Sequence, residues 1–345
     1  MKALVKTQKG EGFLELKDVP EPPAPGPAEV RIEIAACGIC GTDIHVKHDT
    51  FPYWPPVVLG HEFAGTVVEV GSDCVRTSVG DRVVAEPHTQ ACGVCYLCRT
   101  GNIQICPSKR SPGWGIDGGM TRLINYPEKL LHKIPDNMSF DQAAMVEPTA
   151  NAVTDIIERA RITAGDYAVV IGPGPIGLLS ALVARAAGAR HVVVLGTPED
   201  EALRLTKARE LGFETINVVE QNAADLVMEQ TDGVGADMVI ECSGAPRAIA
   251  SMSEMLRKRG TICVIGLTGG RKVELDWEKF AFKSCDVIFT LSTSYTSWDT
   301  TIALIASGKV PAEKIITHKA PLDQWQDAFD ACENLQAIKA LLTPI

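Results

Sequence analysis

The sequence has no run of eighteen apolar residues, so a transmembrane helix is not expected. It has no low-complexity tract and no repeat of fixed period, which speaks against a solenoid or filament. The opening MKALVKTQKGEGFLEL alternates charged and apolar residues and lacks the continuous apolar stretch of a signal peptide, so the cytosol is the expected compartment. Basic residues are in the minority. Lys and Arg number 33 against 43 Asp and Glu, and a net charge of −10 argues against a nucleic-acid partner, which needs a basic surface. The chain does have the apolar share, 46%, and the charged share, 22%, of a globular protein, and its 345 residues suit two domains. It also has eleven cysteines, an odd number without an export signal. In a reducing compartment these read as metal ligands, reactive thiols or small core residues, not as a disulfide framework.

Texture divides the chain. Up to about residue 150, short β-rich runs such as Val30 to Ala35 and Phe63 to Val70 are separated by Pro- and Gly-rich loops. Ser139 and Gln142 have capping-box spacing and predict a helix start. From about Asp166 the pattern becomes strand, helix, strand. Tyr167 to Ile171, His191 to Leu195, Asp237 to Cys242 and Thr261 to Ile265 are the strand candidates, and Leu178 to Ala187 is helical. Such alternation implies a parallel sheet covered on both faces. After about residue 290 the rhythm stops, and SWDTTIALIASGKV predicts a helix ending near Gly308.

Three motifs carry chemistry. Cys92, Cys95, Cys98 and Cys106 are spaced C-x2-C-x2-C-x7-C. Four thiolates this close can close a tetrahedral shell around zinc, leaving no open position, so the site reads as structural. An iron–sulfur cluster is the rival reading. Upstream stand Cys40 in CGICGTDIH and His61-Glu62 in GHEFAG. Alone, each also fits a buried core thiol or a loop contact, and Cys37 nearby reads as core. Finally, Gly172, Gly174 and Gly177 form G-x-G-x-x-G in IGPGPIG, with Pro175 and Ile176 inside it, directly between a strand and a helix. That context marks a dinucleotide site, with the phosphates on helix N-terminal amides.

The order Cys-Gly-Thr-Asp-x-His, Gly-His-Glu, four-cysteine lobe, glycine-rich turn resembles the zinc-dependent medium-chain dehydrogenase/reductase family along essentially the whole chain. The resemblance implies an α/β protein: a GroES-like, β-rich catalytic domain over 1–152 with a zinc lobe at 88–108, a doubly wound Rossmann domain over 153–289, and a return to the catalytic domain over 290–345. It implies Cys40 and His61 as ligands of a catalytic zinc, with Glu62 a third ligand or a close neighbour. Where the alcohol dehydrogenases of the family carry another zinc-binding Cys, this chain has Glu147, which resembles the polyol and threonine dehydrogenase branch. Glu147 either binds zinc directly or holds its water; a carboxylate favoured by a helix dipole is the bland alternative. Thr42, by the same resemblance, passes a proton towards His45. Asp43 is expected to orient His61. A Lewis-acidic metal of this kind acidifies a bound alcohol so that hydride can leave to nicotinamide.

The acid expected after the second Rossmann strand is absent. Leu195 is followed by Gly196, Thr197 and Pro198, with Glu199, Asp200 and Glu201 later and Arg204 the nearest Arg. Gly196, Thr197 and Arg204 are the candidates for the ribose end; NAD is expected, NADP the alternative. The leading function is interconversion of a polyol secondary hydroxyl and a ketose. Threonine 3-dehydrogenase-like oxidation of an amino alcohol is the runner-up. A non-catalytic zinc scaffold is the reading from another class, opposed by Cys40, His61 and Glu147. The segment Ser292 to Tyr295 fits either a hydroxyl-lined pocket or a helix cap. A homo-oligomer, tetramer or dimer, is implied by resemblance alone.

Overall fold

A computed structural model describes residues 1–345. It comprises two compact units: residues 1–147, 293–307 and 312–345 form the first, and residues 148–292 and 308–311 the second. The helix Val146–Ala152 runs through the division between 147 and 148, so the compact units part five residues before the 152/153 boundary that the resemblance implies.

The first unit is built on a seven-stranded sheet and a three-stranded sheet. Its central strand, Glu29–Gly38, alternates buried and less buried residues, with Val30, Ile32 and Ile34 turned into the core. It pairs antiparallel with Glu62–Val70 on one side and with Lys339–Thr343 on the other. The capping box at Ser139 forms as its spacing requires. The Gln142 N–H donates to Ser139 Oγ at 3.1 Å, and the Ser139 N–H donates back to Gln142 Oε1 at 2.9 Å, starting the helix Phe140–Ala144.

The second unit is a six-stranded, all-parallel sheet. Counting its own strands from Tyr167–Ile171, the order is 3-2-1-4-5-6, the doubly wound arrangement with its switch point between strands one and four. The first strand is buried along its whole length, as a strand covered on both faces must be. Val169, Val193, Val239 and Ile262 stack across the sheet in one core.

Candidate functional site

Strand register assembles a buried group of ligand atoms in the first unit. Gly38 lies opposite Glu62 on one side and opposite Leu341 on the other. Cys40, two residues past Gly38, therefore meets His61 and Glu62 at one end of the sheet. The Cys40 thiol, a His61 ring nitrogen and a Glu62 carboxylate oxygen lie within 4.8 Å of one another. Cys40 caps the helix Gly41–Lys47, and its N–H donates to Asp43 Oδ2 at 2.9 Å. Asp43 Oδ1 accepts from the Gly60 N–H at 3.3 Å and lies 3.9 Å from His61 Nδ1. One buried carboxylate thus joins the two loops that carry the ligands. Burial pushes Asp43 above the usual carboxylate range.

The field at this place favours a cation. Burial alone would make the His61 imidazole hard to charge, yet the Cys40 sulfur, with Asp43 and Glu147 nearby, lifts it to about 10. His61 Nδ1 is buried and has no hydrogen-bond partner. A buried imidazole gathered with a thiol and a carboxylate fits zinc, which takes such N, S and O donors. Glu147, on the helix Val146–Ala152, is buried but outside the tight group. Behind Glu62 stands Lys339, fully enclosed, its ammonium donating to the Glu62 carboxylate and to the Ile39 carbonyl at 2.9 Å. Burial opposes its charge, but Glu62 and Cys40 hold its pKa above the usual lysine value.

The four-cysteine lobe is open by contrast. The sulfurs of Cys92, Cys95, Cys98 and Cys106 lie within 4.8 Å of one another, and none is oxidised to a disulfide. Three separations are 3.7 Å (Cys92–Cys106), 3.9 Å (Cys95–Cys106) and 4.0 Å (Cys92–Cys98). A tetrahedron with zinc–sulfur bonds of roughly 2.3 Å has edges of about 3.8 Å, so the donors already match the ion. Backbone amides aim at them: Cys92 N–H donates to Cys106 Sγ, Cys95 N–H to Cys92 Sγ and Cys98 N–H to Cys95 Sγ. The bond from Cys92 is the main reason that Cys106 is shifted down to about 6, towards thiolate.

In the second unit the strand Tyr167–Ile171 turns at Gly172, with φ +96°, into the helix Pro175–Ala186. A Cβ on Gly177 would collide with the Gly172 carbonyl, so a glycine is required for helix and strand to meet. A Cβ on Gly174 would meet nothing within 4 Å. That open face beside a helix N-terminus is the cradle a pyrophosphate needs. A cavity of about 750 Å³ opens here, lined among others by Gly172, Gly196, Thr197, Asp200, Asn222 and Arg247.

Comparison with known proteins agrees with both units. Residues 26–136 match the alcohol dehydrogenase GroES-like domain, and residues 175–307 match the zinc-binding dehydrogenase family. Sorbitol dehydrogenase of Halalkalibacterium halodurans is 38% identical, with 100% of both chains covered. The chain belongs to the zinc-dependent medium-chain dehydrogenases. D-arabitol-phosphate dehydrogenase of Enterococcus avium is 35% identical, covering 99% of this chain and 97% of that one. The crystal structure of 2R,3R-butanediol dehydrogenase from Bacillus subtilis superposes with a TM-score of 0.88 at 29% identity, covering 100% and 99% of the two chains. This chain is accordingly a zinc-type, NAD(P)-linked alcohol dehydrogenase.

Against that identity, several sequence expectations need adjustment. In this dehydrogenase Thr42 Oγ1 sits 3.8 Å from Cys40 Sγ, but no hydrogen bond joins it to His45, whose Nδ1 lies 3.0 Å from Thr50 Oγ1. Ser294 caps the helix Tyr295–Ala306, accepting from the Ser297 N–H at 3.1 Å. Thr293 Oγ1 accepts from the Trp298 indole and contacts His88 Nε2 at 3.0 Å, both inside the core. These two hydroxyls support structure, not a pocket. Gly196 is small because a Cβ would press on Leu205 and Pro173. The acid missing at the strand end returns as Asp200, which accepts from both the N–H and the hydroxyl of Thr197 at 3.0 Å. Arg204 faces Asp200 at 3.3 Å and does not line the cavity, contrary to its expected role. Lys339 was missed altogether. Its signal is a lysine inside the apolar run AIKALL, where a buried charge demands a partner.

Proposed function

We propose that this dehydrogenase interconverts a secondary hydroxyl of a polyol and the corresponding ketose, with NAD as hydride acceptor. The observation that carries the reading is the convergence of the Cys40 thiol, a His61 ring nitrogen and a Glu62 carboxylate oxygen within 4.8 Å of one another, with Glu147 within electrostatic reach. The relatives named for sorbitol and arabitol phosphate support the polyol side of it.

When bound, zinc supplies a Lewis acid for the carbinol oxygen and the dinucleotide supplies the hydride acceptor. Cys40 and His61 hold the metal, with Glu62 close enough to join them. Asp43 keeps the His61 loop in register with the Cys40 turn. Lys339 balances Glu62, so that the site is not left with an unpaired buried carboxylate. Trp114 meets the His61 ring edge-on at 4.8 Å between centroids and keeps water from that side of it. Thr42 relays the proton released from the substrate, its hydroxyl giving its own proton to water as it takes one on; His45, bound to Thr50, takes no direct part in this transfer. The second zinc site, formed by Cys92, Cys95, Cys98 and Cys106, holds its lobe together.

The preference for NAD over NADP rests on Asp200 and Glu199. Asp200 holds the Thr197 hydroxyl, Glu199 stands exposed beside it, and Arg204 already faces Asp200. Negative charge there repels a 2′-phosphate. A cytosolic location is supported by eleven cysteines without a disulfide, and no helix is long and apolar enough to cross a membrane. A homo-oligomer is supported by the edge strand Asp286–Phe289, near which Trp277, Phe282, Phe289 and Leu291 are exposed.

Initial rates with polyols and amino alcohols, each with NAD and NADP, test the reading. Polyol oxidation with NAD is expected to give the highest kcat/KM. A clear preference for threonine, or for NADP, overturns the corresponding part.

A further inference from the structure

An aromatic path leads outward from the buried group to an unpaired guanidinium. Trp114 contacts both the His61 ring and, at 5.6 Å between centroids, Phe51. The carbonyl of Trp114 accepts from the Trp54 N–H at 2.8 Å. Trp54 is 46% exposed, and its ring carries the Arg110 guanidinium on its face at 3.8 Å from the centroid. Arg110 is fixed in place by its backbone. Its N–H donates to the Thr89 carbonyl at 3.0 Å, and its own carbonyl accepts from the Thr89 hydroxyl. Its stem lies tight against Gly115, where a Cβ would come within 2.9 Å of the Arg110 Cα, Cβ and Cδ atoms.

The head of Arg110 is underused. It makes one hydrogen bond, to the Lys109 carbonyl at 3.2 Å, and no ion pair, in a chain with 43 acidic and 33 basic residues. Its neighbour Lys109 differs, since burial lowers its pKa to about 8 against the opposing pull of Glu147 and Cys106. A guanidinium held over an indole is fixed in place, and its N–H groups lie in one plane, the arrangement that reads a planar or tetrahedral oxyanion bidentately. A neutral polyol needs no such group near the site.

We propose that Arg110 is a specificity-determining residue that binds an anionic group, a phosphate ester or a carboxylate, carried by the polyhydroxylated substrate away from the carbinol to be oxidised. This rests on the polyol reading above and narrows it.

The test compares kcat/KM for a neutral hexitol, the same hexitol carrying a terminal phosphate, and the matching aldonate, using the purified protein with NAD. The wild type is expected to favour one of the two anionic substrates over the neutral one; which one wins identifies the anion. In Arg110→Gln that preference, expressed as the ratio of the two kcat/KM values, is expected to fall by at least about tenfold, the loss of one charge-assisted bidentate contact. Arg110→Lys is expected to recover part of it. A wild type that favours the neutral hexitol, or a ratio unchanged in Arg110→Gln, overturns the proposal. If no polyol is oxidised, the polyol reading fails by itself, and anion binding is then read from tryptophan fluorescence. Saturable quenching by inorganic phosphate or by gluconate that is lost in Arg110→Gln supports Arg110 as an anion site; no quenching by either overturns it.

Discussion

The two zinc-type sites of this dehydrogenase are built in opposite ways. The lobe collects its four sulfurs from the segment between Cys92 and Cys106, leaves Cys92 exposed, and stabilises the thiolates with its own backbone amides. The other group draws Cys40, His61 and Glu62 together from separate stretches, with Lys339 behind Glu62, and most of these side chains are enclosed in the core. The first site requires only a short loop of the right length. The second exists only if Glu29–Gly38 pairs in register with strands on both sides. A site made locally can support a fold, whereas a site made by the fold can place an open coordination position next to a substrate.

The largest separation of the two is expected from Cys40→Ser. Activity is expected to drop by at least about a thousandfold, since the Lewis acid is worth several kcal/mol and each 1.36 kcal/mol is a factor of ten. Zinc content should fall from two ions per chain to one, with the melting temperature little changed. Full turnover in this variant would remove Cys40 from the chemistry. Next in size is Lys339→Met, which strands Glu62 as an unpaired buried carboxylate and is expected to cost about 3–5 kcal/mol of stability by urea titration. Adding Glu62→Gln should recover much of that loss, because the stranded charge is then gone. If the double variant is no more stable than the single one, the pair does not act as a unit.

Cys106→Ser addresses the other side of the comparison. Removing the one buried sulfur of the lobe is expected to lower thermal stability and speed zinc loss to a chelator. The remaining folded enzyme should keep its KM for substrate. A KM that moves as much as the melting temperature would show that the lobe is part of the reacting site, and the distinction drawn here would fail.

The same contrast explains what could be read before the fold was known. Spacing alone identified the lobe, and a strand–glycine–helix context identified Gly172, Gly174 and Gly177, since both signals are local in the chain. Cys40 and His61 are two isolated residues until family resemblance or strand register joins them. Lys339 escaped because its meaning is non-local: its partner stands 277 positions away. Asp200 is different, since the Thr197-x-x-Asp200 cap that fixes it is local and its spacing is present in the sequence. Gly196, a candidate for the ribose end, lines the cavity, and packing against Leu205 and Pro173 also requires a residue without a side chain there. Arg204 was assigned by proximity in sequence, and the turn gives it to Asp200 instead.

A buried carboxylate of the second unit sharpens the lesson of Glu62. Asp155, 2% exposed in the second unit, has a hydroxyl bond from Thr290 and the charge of Arg159 nearby, but no enclosed counterpart like Lys339. Burial therefore wins, and its pKa rises from 3.8 to about 7. Between these values the folded chain holds a proton that the unfolded chain has released. Stability therefore falls as pH rises from about 4 to 7 and levels off above, where both states are ionised. Asp155→Asn removes the titration. Relative to the wild type, its melting temperature is expected to improve from pH 5 to about pH 7 and then level off, by a margin smaller than the Lys339 effect because Thr290 and Arg159 relieve part of the charge. Parallel melting curves for the two proteins over that range would mean that Asp155 stays ionised throughout, and that its surroundings compensate it as fully as Lys339 compensates Glu62.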